Sequence, residues 1–253
     1  MLAVERRNKI ESIINEHGSV QVVELAKLFD VTTETIRGDL LKLEQQGILE
    51  RSYGGATLAG NDIDPVIAER GYINYEEKIR IAKSAASLIR NGEIIFLDSS
   101  TTSWHLSRHL KDKEKLTVIT NAQKVVNELL ECENIQVICT GGLLNRKNMS
   151  YTGRSGERTI RENYFVDKAF FSCRGITMGS GIVDSSEAEA EIKRAMVENS
   201  SCPVFMCDHS KFTKTGFAKV TDFSKIKFMI TDGELTDEWA EVMKKHDINI
   251  INV

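Results

Sequence analysis

Residues 31–55 read VTTETIRGDLLKLEQQGILERSYGG, from Val31 to Gly55, and this stretch decides the fold of the amino-terminal part. Thr32 stands where a helix N-cap belongs, and Glu34 in the first turn complements the helix dipole. Ile36, Leu40 and Leu43 recur at helical spacing and are expected to face a core, which leaves Thr33, Thr35, Arg37 and Lys42 pointing outward. Gly47 ends the helix, and Ile48 to Leu58 has extended character around a Gly54-Gly55 turn. A polar-faced helix followed by a short basic hairpin has a shape that fits the DNA major groove. A small helical packing module without a ligand accounts for the same pattern, because helix pairs with short turns are common.

Upstream, a helix is expected over about Ala3 to His17, with Val4, Ile10, Ile13 and Ile14 along one side and Gly18 as a stop. A second covers roughly Val20 to Phe29, and Asp30-Val31 makes a tight turn. Three helical segments and a hairpin form a winged helix-turn-helix pattern. Downstream, Ala59 to Pro65 (AGNDIDP) is polar and turn-rich. The expected domains are therefore 1–58, a linker over 59–75, and 76–253.

Beyond Glu76 the signals alternate. Helices are expected at Lys78–Ile89, Thr102–Leu110, Ala122–Leu130, Ser186–Glu198 and Asp237–His246. Strands are expected at Ile94–Asp98, Leu116–Thr120, Gln136–Thr140, Ala169–Cys173, Val204–Cys207, Phe228–Thr231 and Ile248–Val253. This alternation implies an α/β fold, a mostly parallel sheet with helices on both faces.

Apolar content of 41% and charge of 28% are those of a soluble globular chain. There is no run of 18 apolar residues, and the opening MLAVERRNKIES carries charge where a signal peptide needs an apolar core. The five cysteines form no CxxC pair, which suggests free thiols in a reducing cytoplasm. Net charge is −4, and residues 1–60 hold 7 Lys/Arg against 9 Asp/Glu. Nucleic-acid binding must then rest on where Arg6, Arg7, Lys9, Arg37, Lys42 and Arg51 sit rather than on their sum.

Ligands of open parallel sheets sit at the carboxyl ends of the strands. Those ends lead into Ser99-Ser100-Thr101-Thr102, Asn121, Gly141-Gly142, Arg174-Gly175 and Asp208-His209-Ser210-Lys211. Hydroxyls and amides at a helix N-terminus suit a phosphate, Lys211 supplies a point charge, and Arg174 offers a bidentate donor. The chemistry fits an anionic, hydroxylated ligand such as a sugar phosphate, although plain N-capping also accounts for the Ser/Thr cluster. His105 and His109 lie four apart with no third ligand, so packing or solvent roles are expected and no metal. Glu187, Glu189, Glu191, Lys193 and Arg194 read as a charged helix face. Neither a nucleophile elbow nor a GxxxxGK[ST] loop is present.

Taken in order, Thr33 to Leu40 with Gly54-Gly55-Ala56, then Asp98 to Thr102, Thr120-Asn121, Thr140 to Gly142, Val166 to Lys168 and Asp208 to Lys211 resemble the DeoR family of bacterial transcriptional regulators. The resemblance covers essentially the whole chain. It implies a winged helix-turn-helix joined to a sensor domain similar to ribose-5-phosphate isomerases. It also implies repression of a sugar or nucleoside catabolic operon, relieved by a phosphorylated intermediate. Three positions depart from the family pattern. Gly38 stands where a second basic residue is usual, Tyr53 where His often precedes the Gly pair, and Ser100 where the loop often has Gly. If that loop backbone requires positive φ, Ser100 is strained.

The DNA-contacting set implied is Arg6, Arg7, Thr32, Thr33, Glu34, Thr35, Arg37, Lys42, Arg51 and Tyr53, with Thr33, Thr35 and Arg37 in the groove. The effector set is Asp98, Ser99, Ser100, Thr101, Thr102, Asn121, Gly141, Gly142, Arg174 and Lys211. Two copies related by two-fold symmetry, as a homodimer or homotetramer, would read a palindromic or repeated operator. The isomerase resemblance raises an enzymatic alternative. Those enzymes carry an Asp-Gly-x-Asp-Glu segment, whereas Ser172-Cys173-Arg174-Gly175 holds no carboxylate to act as a base. No catalytic residue and no cofactor is therefore expected.

Overall fold

The computed structural model describes residues 3–17, 19–52, 54–58 and 67–253. They fall into two compact units, Met1–Asn74 and Tyr75–Val253. Of the expected linker, 59–66 lie outside the described residues, and the rest begins with a short helix at Ile67–Arg70.

In the first unit, α1 (Ala3–His17), β1 (Ser19–Gln21), α2 (Val22–Phe29) and α3 (Thr33–Gln45) precede a hairpin of β2 (Leu49–Ser52) and β3 (Gly55–Leu58). Ile10 and Ile14 of α1, Leu25 of α2 and Ile36, Leu40 and Leu43 of α3 share one core with Leu49 and Ala56. Burying each such side chain is worth about 1.5–3 kcal/mol. Val4, expected on the same side as Ile10, is exposed instead. Asp30 takes a left-handed φ of 51° to close the turn between α2 and α3. Gly47, at φ 73°, follows the Gln46 cap of α3. Sequence alone did not foresee β1, which pairs antiparallel with β3, Gln21 opposite Gly55. A Cβ on Gly55 would lie 2.2 Å from the Val20 carbonyl oxygen, so only glycine lets the wing approach this closely.

The second unit follows the short helix α4 (Ile67–Arg70) and opens with α5 (Tyr75–Ser87). Then come β4 (Ile94–Leu97), α6 (Thr101–Arg108), β5 (Leu116–Thr120), α7 (Gln123–Leu129) and β6 (Ile135–Cys139). A hairpin of β7 (Leu143–Asn145) and β8 (Ser150–Thr152) leads to α8 (Arg154–Asn163) and β9 (Val166–Phe171). β10 (Gly175–Thr177), β11 (Gly181–Asp184), α9 (Glu187–Glu198), β12 (Ser200–Cys207), β13 (Ala218–Thr221), β14 (Phe228–Thr231), α10 (Asp237–Lys245) and β15 (Asn249–Asn252) complete it.

Seven strands form one sheet in the order β15-β14-β12-β9-β4-β5-β6, all parallel. Alternate residues feed opposite faces: Ile95 and Leu97 pack with Ile81 and Leu106, while Phe96 packs with Ile160, Ile192 and Met196. The chain leaves β4 toward β5 and β6, then returns on the other side to β9. The strand order thus reverses between β4 and β9, where open α/β sheets form their ligand crevice. The β7–β8 hairpin, α8 and a small antiparallel sheet of β10, β11 and β13 were not foreseen.

Candidate functional site

Two surfaces carry candidate chemistry, one on each unit. On the first, Thr32 caps α3 by accepting from the Thr35 amide at 3.2 Å. Thr33 donates to Glu34, and Glu34 pairs with Arg37 at 2.9 Å while both remain exposed. The Glu34 carboxyl is held below its ordinary pKa by a backbone hydrogen bond, by Thr33 and by Arg37. Thr32, Thr33, Glu34, Thr35 and Arg37 therefore form one polar mesh on the first turns of α3, with Lys42 exposed farther along. On β2, Arg51 is oriented by Glu44, which accepts from both its amide and its Nε. Tyr53 lies outside the described residues.

Arg6 and Arg7 must be withdrawn from the DNA contacts. Arg6 Nε lies 2.5 Å from Asp39 Oδ2 and Arg7 NH1 3.3 Å from Asp39 Oδ1, with the Arg6 and Arg7 side chains only 9% and 17% exposed. Buried charges persist when paired, and this pair joins α1 to the inner face of α3.

On the second unit the site grows from Asp98, the residue after β4. Its carboxylate is fully buried and accepts from the Ser100 amide and hydroxyl, the Ser103 hydroxyl and the Ser172 amide at the end of β9. Lys193 Nζ lies 3.4 Å from the same group. Asp98 is thus no effector contact: it is saturated, and it ties β4 to β9 across the switch point. Ser99 is corrected likewise, since its hydroxyl donates to buried Glu189. Ser100 caps α6 by accepting from the Ser103 amide, at φ −73°, so the anticipated strain is absent. The first intrahelical bond runs from the Trp104 amide to the Ser100 carbonyl. The Thr101 and Thr102 amides precede it and have no intrahelical acceptor, which is the arrangement that receives an anion.

The neighbouring strand ends complete the rim. Leu97 is in register with both Thr120 and Phe170, so Asn121 stands beside Asp98. Asn121 is buried, and its side-chain oxygen has no partner among the described residues. Gly142 takes φ 121°, and a Cβ there would meet the Thr152 carbonyl oxygen at 2.5 Å. Gly142 therefore serves the close packing of the β7–β8 hairpin, and Gly141 takes the left-handed φ of 69° that leads into it. Half-buried Arg174 follows β9, its amide bonded to the Val183 carbonyl. Half-buried Lys211 ends the turn after β12, close enough for its charge to act on Cys173. Burial nonetheless pushes the Cys173 thiol up to about 12, and Cys207 also rises well above its ordinary value. Both are inert thiols.

Sequence reading missed Glu189 and Lys193. Four residues apart on α9, they turn inward rather than toward solvent. Glu189 accepts from Ser99, Asn145, Asn148 and Ser150, which binds the anion loop and the β7–β8 hairpin to one carboxylate. Lys193 sits between Asp184, at 2.5 Å, and Asp98. Burial disfavours its charge, yet the Asp184, Asp98 and Glu189 carboxylates outweigh that and raise its pKa. Asp98, bonded to the Ser172 amide, and Asp184, next to the Val183 that accepts from the Arg174 amide, also amend the expectation of a site without acids, but hydrogen bonds and Lys193 hold them. His105 is buried between Tyr75 and Trp104, and His109 is exposed.

A winged helix-turn-helix on the same chain as an α/β unit with a crevice at its strand-order reversal defines a DNA-binding transcriptional regulator with a sensor domain. Residues 6–61 match the DeoR-like helix-turn-helix domain, and residues 73–233 match the DeoR C terminal sensor domain. The chain belongs to the DeoR family. It is 39% identical to the "Uncharacterized HTH-type transcriptional regulator YulB" of Bacillus subtilis (strain 168), over 100% of this chain and 98% of that protein. It is 35% identical to the L-fucose operon activator of Haemophilus influenzae (strain ATCC 51907 / DSM 11121 / KW20 / Rd), over 93% and 94%. It is 29% identical to the glycerol-3-phosphate regulon repressor of Escherichia coli (strain K12), over 99% of each. A solved D-ribose-5-phosphate isomerase in complex with phospho-erythronic acid aligns with TM-score 0.42 at 12% identity, covering 55% of this chain and 54% of that one. Nothing about function follows from so distant a likeness. Among the described residues, no helix is long and apolar enough to cross a membrane.

Proposed function

We propose that the chain represses a sugar or nucleoside catabolism operon, and that a phosphorylated sugar held in the C-terminal unit controls its grip on DNA. The observation that carries this reading is the capped N-terminus of α6. It opens at the strand-order reversal, with the Thr101 and Thr102 amides unclaimed by the helix and Lys211 in the loop after β12, two strands along the same edge. Thr33, Thr35 and Arg37 contact bases, while Lys42 and Arg51 contact phosphates. Base contacts set specificity, and phosphate contacts set affinity and its salt dependence. Two copies bound to a symmetric operator double a reading surface that is small in one copy. The effector acts by binding one arrangement of the protein better than another. The named repressor among the relatives supports this sign of regulation; the named activator makes the sign the part to test first.

A thermal-shift screen against phosphorylated sugars tests the sensor. A ligand at a hundredfold excess over Kd stabilises the native state by about 2.7 kcal/mol. Site selection from random duplexes, with and without the stabilising compound, tests the reader. Arg37→Ala is expected to lose sequence preference, and Lys211→Ala to keep DNA binding but lose the effector response. A ketose–aldose interconversion assay is expected to stay at background, since the nearby carboxylates are held by structural partners; turnover would replace the regulator reading with an enzymatic one.

A further inference from the structure

We propose that Asn121 is the specificity-determining residue of the effector site: its side-chain carbonyl accepts a hydrogen bond from a ligand hydroxyl, selecting a hydroxyl-bearing phosphate ester over a bare phosphate. The inference rests on the sugar-phosphate reading above and narrows it.

Asn121 is 1% exposed, so each of its polar atoms needs a partner or is left at a cost. Its Nδ2 donates to the Tyr151 carbonyl oxygen at 3.1 Å. That bond fixes the orientation of the amide, because a carbonyl oxygen can face only the NH2 end. The backbone is fixed as well, for the Tyr151 amide donates to the Asn121 carbonyl at 2.7 Å. Oδ1 is left as a rigid, buried acceptor with no partner among the described residues. The Leu97–Thr120 register sets Asn121 beside Asp98, one strand from the loop that opens α6.

An acceptor in this position repels an ionised phosphate oxygen, since both carry lone pairs. It can be satisfied only by a donor. Among the described residues none supplies it. With the phosphate on the Thr101 and Thr102 amides, one strand away, a hydroxyl on the carbon skeleton of the ester supplies the donor. A hydroxyl near the esterified carbon is the chemical class that fits. A site built to bond a hydroxyl also rejects analogues that lack it, because the buried acceptor is then left bare.

The test is calorimetric titration of the full chain with inorganic phosphate, ethyl phosphate, glycerol 3-phosphate, glucose 6-phosphate, fructose 6-phosphate and fructose 1-phosphate. On the unaltered protein, the best hydroxylated ester is expected to bind at least tenfold more tightly than ethyl phosphate. Asn121→Ala is expected to abolish that preference while leaving inorganic phosphate within about twofold. Equal affinity for ethyl phosphate and every hydroxylated ester overturns the role of Asn121 and leaves the regulator reading standing. So does an equal loss for all ligands in Asn121→Ala, which marks a structural residue. Absence of binding by every phosphate compound overturns both readings. If the variant fails to fold, the ligand series on the unaltered chain still overturns the proposal when ethyl phosphate binds as tightly as every hydroxylated ester.

Discussion

The two units bury charge for different ends. In the first, Arg6, Arg7 and Asp39 lie behind the reading surface, fastening α1 to α3, while the residues that face DNA in our proposal are exposed or half-buried and make local pairs, Arg37 with Glu34 and Arg51 with Glu44. In the second, Asp98, Asp184, Glu189 and Lys193 are buried at the crevice itself. There Asp98 holds the loop that opens α6, the anion site of our proposal, and Glu189 holds that loop together with the β7–β8 hairpin. The lesson concerns separability. A groove reader can vary its exposed face without disturbing its core, whereas a crevice shaped by buried ions cannot change its stability without changing its site.

The largest expected effect comes from Lys193→Met, which leaves three buried carboxylates without their cation. Removing one partner of a buried pair typically costs about 3–5 kcal/mol, and this substitution is expected at the upper end. The chain's 2 tryptophans, Trp104 and Trp239, both lie in the second unit, so a fluorescence-monitored urea transition reports on it directly. Effector affinity is expected to fall with stability. Retained affinity in a destabilised Lys193→Met protein breaks the claimed coupling of site and core. Asp39→Ala is expected to cost about 3 kcal/mol in the first unit, visible as lost amide-exchange protection in α1 and α3. The tryptophan transition should stay in place, because both fluorophores belong to the other unit.

The same contrast explains what the sequence disclosed. The third helix was legible because its signals are local: the Thr32 cap, the Ile36-Leu40-Leu43 spacing and Gly47 at φ 73°. The parallel sheet was legible because strand and helix signals alternate. The buried charges were not, since burial depends on partners far along the chain. Glu189 lies 90 residues from Ser99 and Arg6 33 from Asp39, and no window on either side reveals the partner. The charged composition of EAEAEIKRAMVE pointed to solvent, and only the fold turns Glu189 and Lys193 inward. Helix α8, RSGERTIREN, escaped notice because Ile160 is its only large buried apolar residue. Strand β1 escaped because three residues become a strand only through the Gly55 backbone beside them.

On the reading surface, Gly38 offers a test that leaves the core untouched. Nothing lies within 4 Å of a Cβ built there. Gly38→Ala is therefore expected to stabilise α3 by about 0.5–1 kcal/mol, read as slower amide exchange in that helix. Gly38→Arg adds a cation to the exposed face and should tighten binding to duplexes of any sequence, steepening the salt dependence by about one phosphate contact. Unchanged binding by Gly38→Arg would show that this face of α3 stays clear of the DNA backbone.

The smallest effect belongs to an ion pair at the crevice rim that solvent reaches. His209 Nδ1 lies 2.7 Å from Asp232, its amide donates to the same carboxylate, and its side chain is 57% exposed. The hydrogen bond to Asp232 raises the histidine pKa above 6.5; burial opposes this, and the charges of Asp232, Asp208 and Glu77 add to it. Arg80, 4.0 Å from Asp232, draws on the same carboxylate from α5. Because the folded value is raised, the pair's contribution to stability is complete below about 6.5. It fades as pH climbs through the folded value. A proton NMR titration of the His209 ring should show the elevated midpoint, and Asp232→Asn should return it toward that of an ordinary histidine. An unshifted midpoint in the unaltered protein would mean that solvent competes successfully with Asp232. The line between buried and solvated charge would then run inside the second unit, between Lys193 and His209, as well as between the units.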